Sequence, residues 1–223
     1  MEPTNIKIIS IENATHDVRR IRTVKPADVN FTPGQAADIS INKEGWKEEV
    51  RPFTFTCVPE DDFLEFTIKT YPSHNGVTNE LLSLNPEDEL IISGVFGAIH
   101  YEGEGVFIAG GAGVTPFISI LRELHRKNQT GNNMLIFANK TKDDIINENE
   151  FSQILGKNFI NILSQEKTEK YFSGHIDKDF LKNTVPDINS YFYVCGPPPM
   201  MDAVEQQLAD LGVKNDKIVK EEF

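Results

Sequence analysis

The chain has 223 residues, about a quarter of them charged, with 34 acidic against 22 basic side chains and a formal net charge of −12. That length can bury one large core or two modest ones, and the acidity disfavours nucleic acid and anionic membranes as partners. Two cysteines, Cys57 and Cys195, are too few for a disulfide framework or a metal cluster, so no metal is expected and a reducing, cytoplasmic setting is.

Residues 1–30 are polar and charged with no apolar signal segment. The longest charge-free run, Gly105–Leu121, is broken by glycines and a proline, so no membrane span is predicted.

Residues 5–100 read as β. "IKIISI", "DISI", "PFTFTCV", "FLEFTIKTY" and "ELIISGVFG" carry strand patterns, separated by the turn formers Pro33-Gly34, Pro59, Pro72, Asn75-Gly76 and Pro86. Short strands at regular spacing predict a small closed barrel. Within this half "RRIRTVK" (Arg19–Lys25) packs four cations into seven residues. It reads as a solvated strand edge, or else as a local positive patch for an acidic partner.

"RPFTFT" (Arg51–Thr56) puts a guanidinium, a ring and a hydroxyl on one strand, with Pro52 between the first two. These can clamp a phosphate, stack on a planar group and hydrogen-bond its edge; a plain barrel strand with a surface arginine has the same pattern. Strand alternation puts Arg51 and Phe53 on one face and Thr54 on the other. "HNGVT" then offers Gly76, Val77 and Thr78 as a turn, with Thr78 placed to cap a short helix facing an anion, or simply to end a turn.

After a glycine-bearing link at residues 101–106 the rhythm changes. Strands "GVFIA", "NMLIFAN", "FINILS", "SYFYVC" and "KIVKEEF" alternate with helices over "TPFISILRELHRKN", "DDIINENEFSQIL", "HIDKDFLKN" and "PMMDAVEQQLADLG". That order predicts a parallel sheet covered on both faces. The domains are accordingly 1–102 and 103–223.

Two turns of this half carry chemistry. "GGAGVTP" follows the first strand, where Gly111, Gly113 and Val114 let phosphates approach the backbone, Thr115 can cap and Pro116 suits the first helical position. Packing alone also produces such a turn, and proline stands where the usual fingerprint has its third glycine. "CGPPPMM" ends the fourth strand on Cys195, followed by Gly196, Pro197 and further prolines that hold a rigid wall. Cys57, by contrast, reads as core packing on its strand.

In order, "PGQ" (33–35), "RPFTFT", "IKTY", "GVT", "GVFG", "GGAGVTP", "CGPPPMM" and the terminal "EEF" resemble the ferredoxin–NADP reductase superfamily of flavoproteins over nearly the whole chain. The resemblance implies a six-stranded antiparallel FAD-binding barrel followed by a parallel-sheet nucleotide-binding α/β domain. Electrons then pass from NADH or NADPH to FAD and on to an acceptor. It gives Arg51 the FAD pyrophosphate, Phe53 the isoalloxazine face (with the phenol of the usual tyrosine lost) and Thr54 the reactive N5. Thr67, Lys69 and Tyr71 become a flavin-lining strand, Gly76–Thr78 the pyrophosphate turn, and Cys195 the nicotinamide wall. Glu221 or Glu222 would tune or relay protons, and Phe223 would cover the ring.

The stretch after "LIFAN" resembles NADH-preferring cytochrome reductases of this superfamily. Asp144 would accept ribose hydroxyls and repel a 2′-phosphate, whereas Lys140 and Lys142 would pair with one; the balance leans to NADH. With no iron–sulfur ligand set, a separate acceptor is implied. A flavodoxin or ferredoxin comes first; free flavin, ferric chelate or an oxygenase component comes second. A regulatory flavin-binding subunit without turnover is the third reading.

Overall fold

The computed structural model describes residues 1–97 and 99–220. They form two compact units, one of Met1–His100 with Thr115–Glu123, the other of Tyr101–Val114 with the chain from Leu124 onward. Among the described residues no helix is long and apolar enough to cross a membrane.

The first unit holds six strands: β1 (Thr4–Asn13), β2 (Val18–Val24), β3 (Ala36–Ile41), β4 (Arg51–Thr54), β5 (Phe63–Lys69) and β6 (Glu89–Phe96). They pair antiparallel in the order β4-β3-β6-β1-β2-β5. The two edges meet through an antiparallel bridge, Phe55 to Phe66, which closes the sheet. Period-two alternation fills the inside with Ile6, Ile8, Ile21, Ile39, Phe55, Phe66, Leu90 and Ile92, each at most 1% exposed. Burying each large side chain contributes about 1.5–3 kcal/mol, so Phe66→Ala at the closure costs about 3–5 kcal/mol.

Two expectations change here. The strand carrying Arg19–Lys25 is no edge: β2 lies between β1 and β5. The short helix α1 (Val77–Glu80) is capped by the backbone of Gly76 and starts at Val77, so Thr78 lies inside it and caps nothing. Val77 itself is 1% exposed and belongs to the barrel core.

Helix α2 spans Thr115–Arg126. Thr115 is thus its first residue and Pro116 its second, one step later than the spacing suggests. Its Thr115–Glu123 part groups with the barrel, where Ser119 Oγ donates to the Cys57 carbonyl at 2.6 Å. Cys57 is wholly buried, and that burial pushes its thiol up to about 12, the inert core residue expected.

The second unit's strands are β7 (Gly105–Gly110), β8 (Met134–Asn139), β9 (Phe159–Leu163), β10 (Phe172–Ser173), β11 (Tyr191–Cys195) and β12 (Ile218–Lys220). All are parallel, in the order β10-β9-β8-β7-β11-β12. Three helices belong to this unit: α3 (Glu148–Leu155), α4 (Lys178–Thr184) and α5 (Pro198–Asp210). One core layer joins Ile108, Ile136, Ile162, Phe192 and Val194 to Leu181, Val204 and Leu208 of α4 and α5. On the other face Phe107 stacks on Tyr193 with centroids 4.4 Å apart.

The Tyr193 hydroxyl accepts from the amides of Glu102 and Gly103 and donates to the Gly103 carbonyl at 2.7 Å. Burial pushes this phenol up to about 12, so it keeps its proton and pins the glycine-bearing link. The chain runs outward from β7 to β10, then returns to β11 on the other side of β7. A reversal of this kind opens a crevice at the strands' carboxyl ends, where ligands of such sheets bind.

Candidate functional site

On the barrel, Arg51 is half exposed and lies beside Glu49. Its guanidinium donates to the Val50 carbonyl at 2.6 Å and to Glu49 Oε2 at 3.3 Å. An exposed pair of this kind contributes under about 1 kcal/mol, so it yields readily to a phosphate. Pro52 is exposed and pairs with Asp38, while Phe53 is half-buried and packs against the barrel core.

The Phe55–Phe66 bridge sets the register beyond β4, placing Thr54 across from Thr67 and Thr56 across from Glu65. The Thr56 amide donates to the Glu65 carbonyl at 2.8 Å. Strand alternation then collects Thr54, Thr56, Glu65, Thr67 and Lys69 on the face opposite the core. Thr54 and Thr67, which the sequence resemblance sets at the flavin, are thereby brought together. Lys69 instead holds Asp17 at 2.6 Å. Burial pushes that carboxyl up, but Lys69, Thr15 and His16 hold it below the usual carboxylate range. Tyr71 is exposed and stacks on His74, their centroids 5.5 Å apart.

Sequence reasoning missed Glu65. It is 0% exposed, and its carboxylate meets Arg122 Nη1 at 2.6 Å, Arg22 Nε at 2.9 Å, the Thr56 hydroxyl at 3.0 Å and Arg20 Nε at 4.0 Å. Burial pushes it up, yet the arginines, Arg122 foremost, pull it below the usual carboxylate range. The basic run is therefore largely taken up inside the unit. Arg20 and Arg22 turn to Glu65, and Lys25 donates to the carbonyls of Pro59 and Asp61.

At the carboxyl ends of β7 and β11 the two glycine turns press backbone to backbone. A Cβ added to Gly113 would collide with the Cys195 carbonyl and lie 2.6 Å from Gly196 Cα. One added to Gly110 would strike Met200 Sδ and lie 3.0 Å from Pro197 Cδ. Gly111 differs: it has φ +52° with open space around it, so its need for glycine is conformational. Cys195 is 4% exposed and Val114 is fully buried. Packing thus explains Gly110 and Gly113, while Gly111 keeps an open backbone beside them.

After β8, Asp144 Oδ2 accepts from the Thr141 amide and hydroxyl, both at 2.8 Å, in a capping box that closes a single turn at Lys142–Asp144. Asn147, with φ +55°, then restarts the chain as α3. The helix expected from Asp143 therefore begins only at Glu148. Lys140 is exposed, and the Lys142 amide donates to Glu166 Oε2 at 2.8 Å, which brings a second carboxylate to this edge. Sequence reasoning also passed over Asn139, the last residue of β8. It is 7% exposed, and among the described residues neither side-chain amide atom has a hydrogen-bond partner. Glu221, Glu222 and Phe223 lie outside the described residues.

Comparison with known proteins bears on both units. Residues 3–132 match the family model of an FAD-binding domain, and residues 107–206 that of an oxidoreductase NAD-binding domain. The chain belongs to the ferredoxin–NADP reductase superfamily of flavoproteins. Superfamily relatives include the reductase component of a propane 2-monooxygenase from Mycolicibacterium goodii, 30% identical over all of this chain and 68% of the relative. The same component from Rhodococcus jostii (strain RHA1) is 29% identical over all of this chain and 64% of its own length. A reductase component of naphthalene 1,2-dioxygenase/salicylate 5-hydroxylase systems from Ralstonia sp is 28% identical over 92% of this chain and 64% of its own. The chain thus spans about two thirds of the length of these relatives.

Among solved structures, a ferredoxin NADP+ reductase from Neisseria gonorrhoeae with bound FAD and NADP shares the fold with TM-score 0.85 at 20% identity, covering 99% of this chain and 98% of that one. The FAD/NAD-binding domain of a nitric oxide dioxygenase from Vibrio cholerae O1 biovar El Tor does so with TM-score 0.86 at 22% identity, covering 98% of both chains.

This superfamily member's residues fit both groups. On the barrel, Arg51 is loosely paired, Phe53 and Thr54 are half-buried, and Gly76 has open space about it. In the α/β unit, an open Gly111 and a buried Asn139, whose side-chain amide has no partner among the described residues, lie at the carboxyl ends of adjacent parallel strands.

Proposed function

We propose that the chain takes electrons from NADH into FAD and hands them to a separate electron carrier, of which a ferredoxin is the first choice and a flavodoxin the second. FAD, when bound, supplies the conversion of a two-electron hydride into single electrons. The observation that carries the reading is the presence, on one chain, of the Arg51–Thr54 and Phe63–Lys69 strand pair and the interlocked turns at Gly110–Val114 and Cys195–Pro197.

In this reading the residues bind and orient. Arg51 holds the FAD pyrophosphate together with Gly76, Val77 and Thr78, Phe53 lies along the isoalloxazine, and Thr54 hydrogen-bonds its edge. Thr67, Lys69 and Tyr71 line the neighbouring strand. Gly111, Gly113, Val114, Thr115 and Pro116 receive the dinucleotide phosphates, and Asn139 offers the amide that has no partner among the described residues. Cys195, Gly196 and Pro197 form the wall against nicotinamide; the thiol is small enough to accept a flat ring, and no covalent role is needed. Asp144 disfavours a 2′-phosphate. The two cysteines are both buried and not joined in a disulfide, which suits a cytoplasmic setting.

A second reading, direct reduction of an oxygenase component, is favoured by the two propane 2-monooxygenase relatives. The deciding experiment supplies the FAD-loaded protein with NADH and either a ferredoxin, a flavodoxin or an oxygenase hydroxylase component, at rising salt. Salt-sensitive reduction of the ferredoxin supports the first reading. Reduction of the hydroxylase component alone replaces it with the second.

A further inference from the structure

The buried carboxylate on β5 orders the hydroxyls beside it. Glu65 has no exposed surface and lies within 4.0 Å of three guanidinium groups, those of Arg20, Arg22 and Arg122. An ionised carboxylate so surrounded can only accept hydrogen bonds. The Thr56 hydroxyl lies 3.0 Å from Glu65 Oε1 and 3.1 Å from the Thr67 hydroxyl.

A threonine hydroxyl has one proton. At the Thr56–Glu65 contact only Thr56 can donate, so its proton is committed there. The Thr56–Thr67 bond must then be donated by Thr67. Direction is forced link by link, from Thr67 to Thr56 to Glu65. Thr67 is 5% exposed and its proton points inward along this chain, which leaves its lone pairs for anything else it meets.

We propose that Glu65 is a positioning residue of the flavin site, fixing the Thr56–Thr67 pair so that Thr67 meets the isoalloxazine as an acceptor and binds a ring N–H. The proposal rests on the reading of β4 and β5 as flavin-lining strands. A brace alone would not need the hydroxyls: Arg22 and Arg122 already bond both carboxylate oxygens. Valine has threonine's shape and fills a buried strand position equally well. The isoalloxazine carries one ring N–H in every redox state, the imide, and gains another on reduction. An acceptor-only hydroxyl suits either.

The test uses the full chain, loaded with FAD, as wild type and as Thr67→Val, Thr67→Ser, Thr56→Val and Thr56→Ser. FAD affinity is read by fluorescence, the flavin midpoint potential by dye equilibration, and folding by thermal unfolding of the FAD-free chain. Losing one such hydrogen bond is expected to weaken FAD binding about three- to tenfold in both valine variants, or to lower the midpoint potential, with serine restoring the wild-type value. Weaker binding at unchanged potential identifies the imide N–H, and a lowered potential identifies the N–H gained on reduction. Because a valine variant that failed to fold would decide nothing, Thr67→Ala is measured beside it, and the same loss is expected.

Affinity and potential unchanged in Thr67→Val and Thr67→Ala, with FAD bound, overturn the proposal. So do serine variants as impaired as the valine ones, because shape would then be what matters. A wild-type chain that binds no FAD overturns the underlying reading instead.

Discussion

Gly113 lies against the backbone of Cys195 so closely that no side chain fits between them. The contact locks the turn after β7 to the turn after β11, and neither partner atom is the movable end of a side chain. The glycine of "GGAGV" and the thiol corner of "CGPPP" are thus one structural unit, built at the reversal point of the sheet.

Gly113→Ala is therefore expected to force the two turns apart. Overpacking of this kind costs about 1–3 kcal/mol, and the displaced corner raises the KM for NADH about tenfold or more. Gly111→Ala meets only left-handed strain of about 1–2 kcal/mol, with a smaller change in KM. Thermal unfolding and steady-state kinetics of both variants check the contrast; equal effects would remove the interlock from the argument.

The arginine-bound Glu65 has a pH signature. Its folded-state carboxyl is held below the ordinary value of 4.5, so its contribution to stability is present above that value and is lost as pH falls through the lower folded value. Urea midpoints measured across this acid range are expected to fall in the wild type and to fall less in Glu65→Gln. That variant is already weakened by about 1.5–3 kcal/mol at neutral pH, because three half-buried guanidinium groups lose the buried anion they share. Parallel acid limbs in the two proteins would contradict the assignment.

Asn139 carries a buried amide with no hydrogen-bond partner among the described residues. Replacing such a group by an apolar one of similar size leaves stability unchanged or improves it. Asn139→Leu is expected to keep or raise the unfolding temperature while raising the KM for NADH about tenfold, a separation of stability from function typical of binding residues. Unchanged KM would take Asn139 out of the nucleotide site.

Asp144 closes its own turn through Thr141. Asp144→Ser keeps a capping hydroxyl and removes the charge, so relative use of NADPH over NADH is expected to rise, with a stability loss of about 1 kcal/mol or less. An unchanged ratio of kcat/KM values for the two dinucleotides would end that role.

Much of the fold is legible in the sequence because burial follows period. The inward residues of β1, β5 and β6 alternate visibly, and the switch to helix–strand alternation after residue 104 marks the second sheet. β10 is not legible: two exposed residues have no period to show. The interior place of β2 is hidden because Arg20 and Arg22 are partnered by Glu65 of β5, and cross-strand pairing leaves no local pattern. Glu65 is hidden for the same reason. It occupies an outward position where a charged residue is ordinary, and only three-dimensional closure buries it. The glycine turns were legible as turns, but the sequence alone cannot separate close packing at Gly113 from the open backbone of Gly111.

The central claim is that this one chain binds FAD and reduces it with a nicotinamide. The direct measurement is an anaerobic titration of the FAD-loaded protein with NADH, following the visible flavin bands. Stoichiometric bleaching by NADH, with a weaker response to NADPH, is the expected result. A protein that stays colourless when offered FAD, or whose flavin bands survive excess of both dinucleotides, would contradict the account.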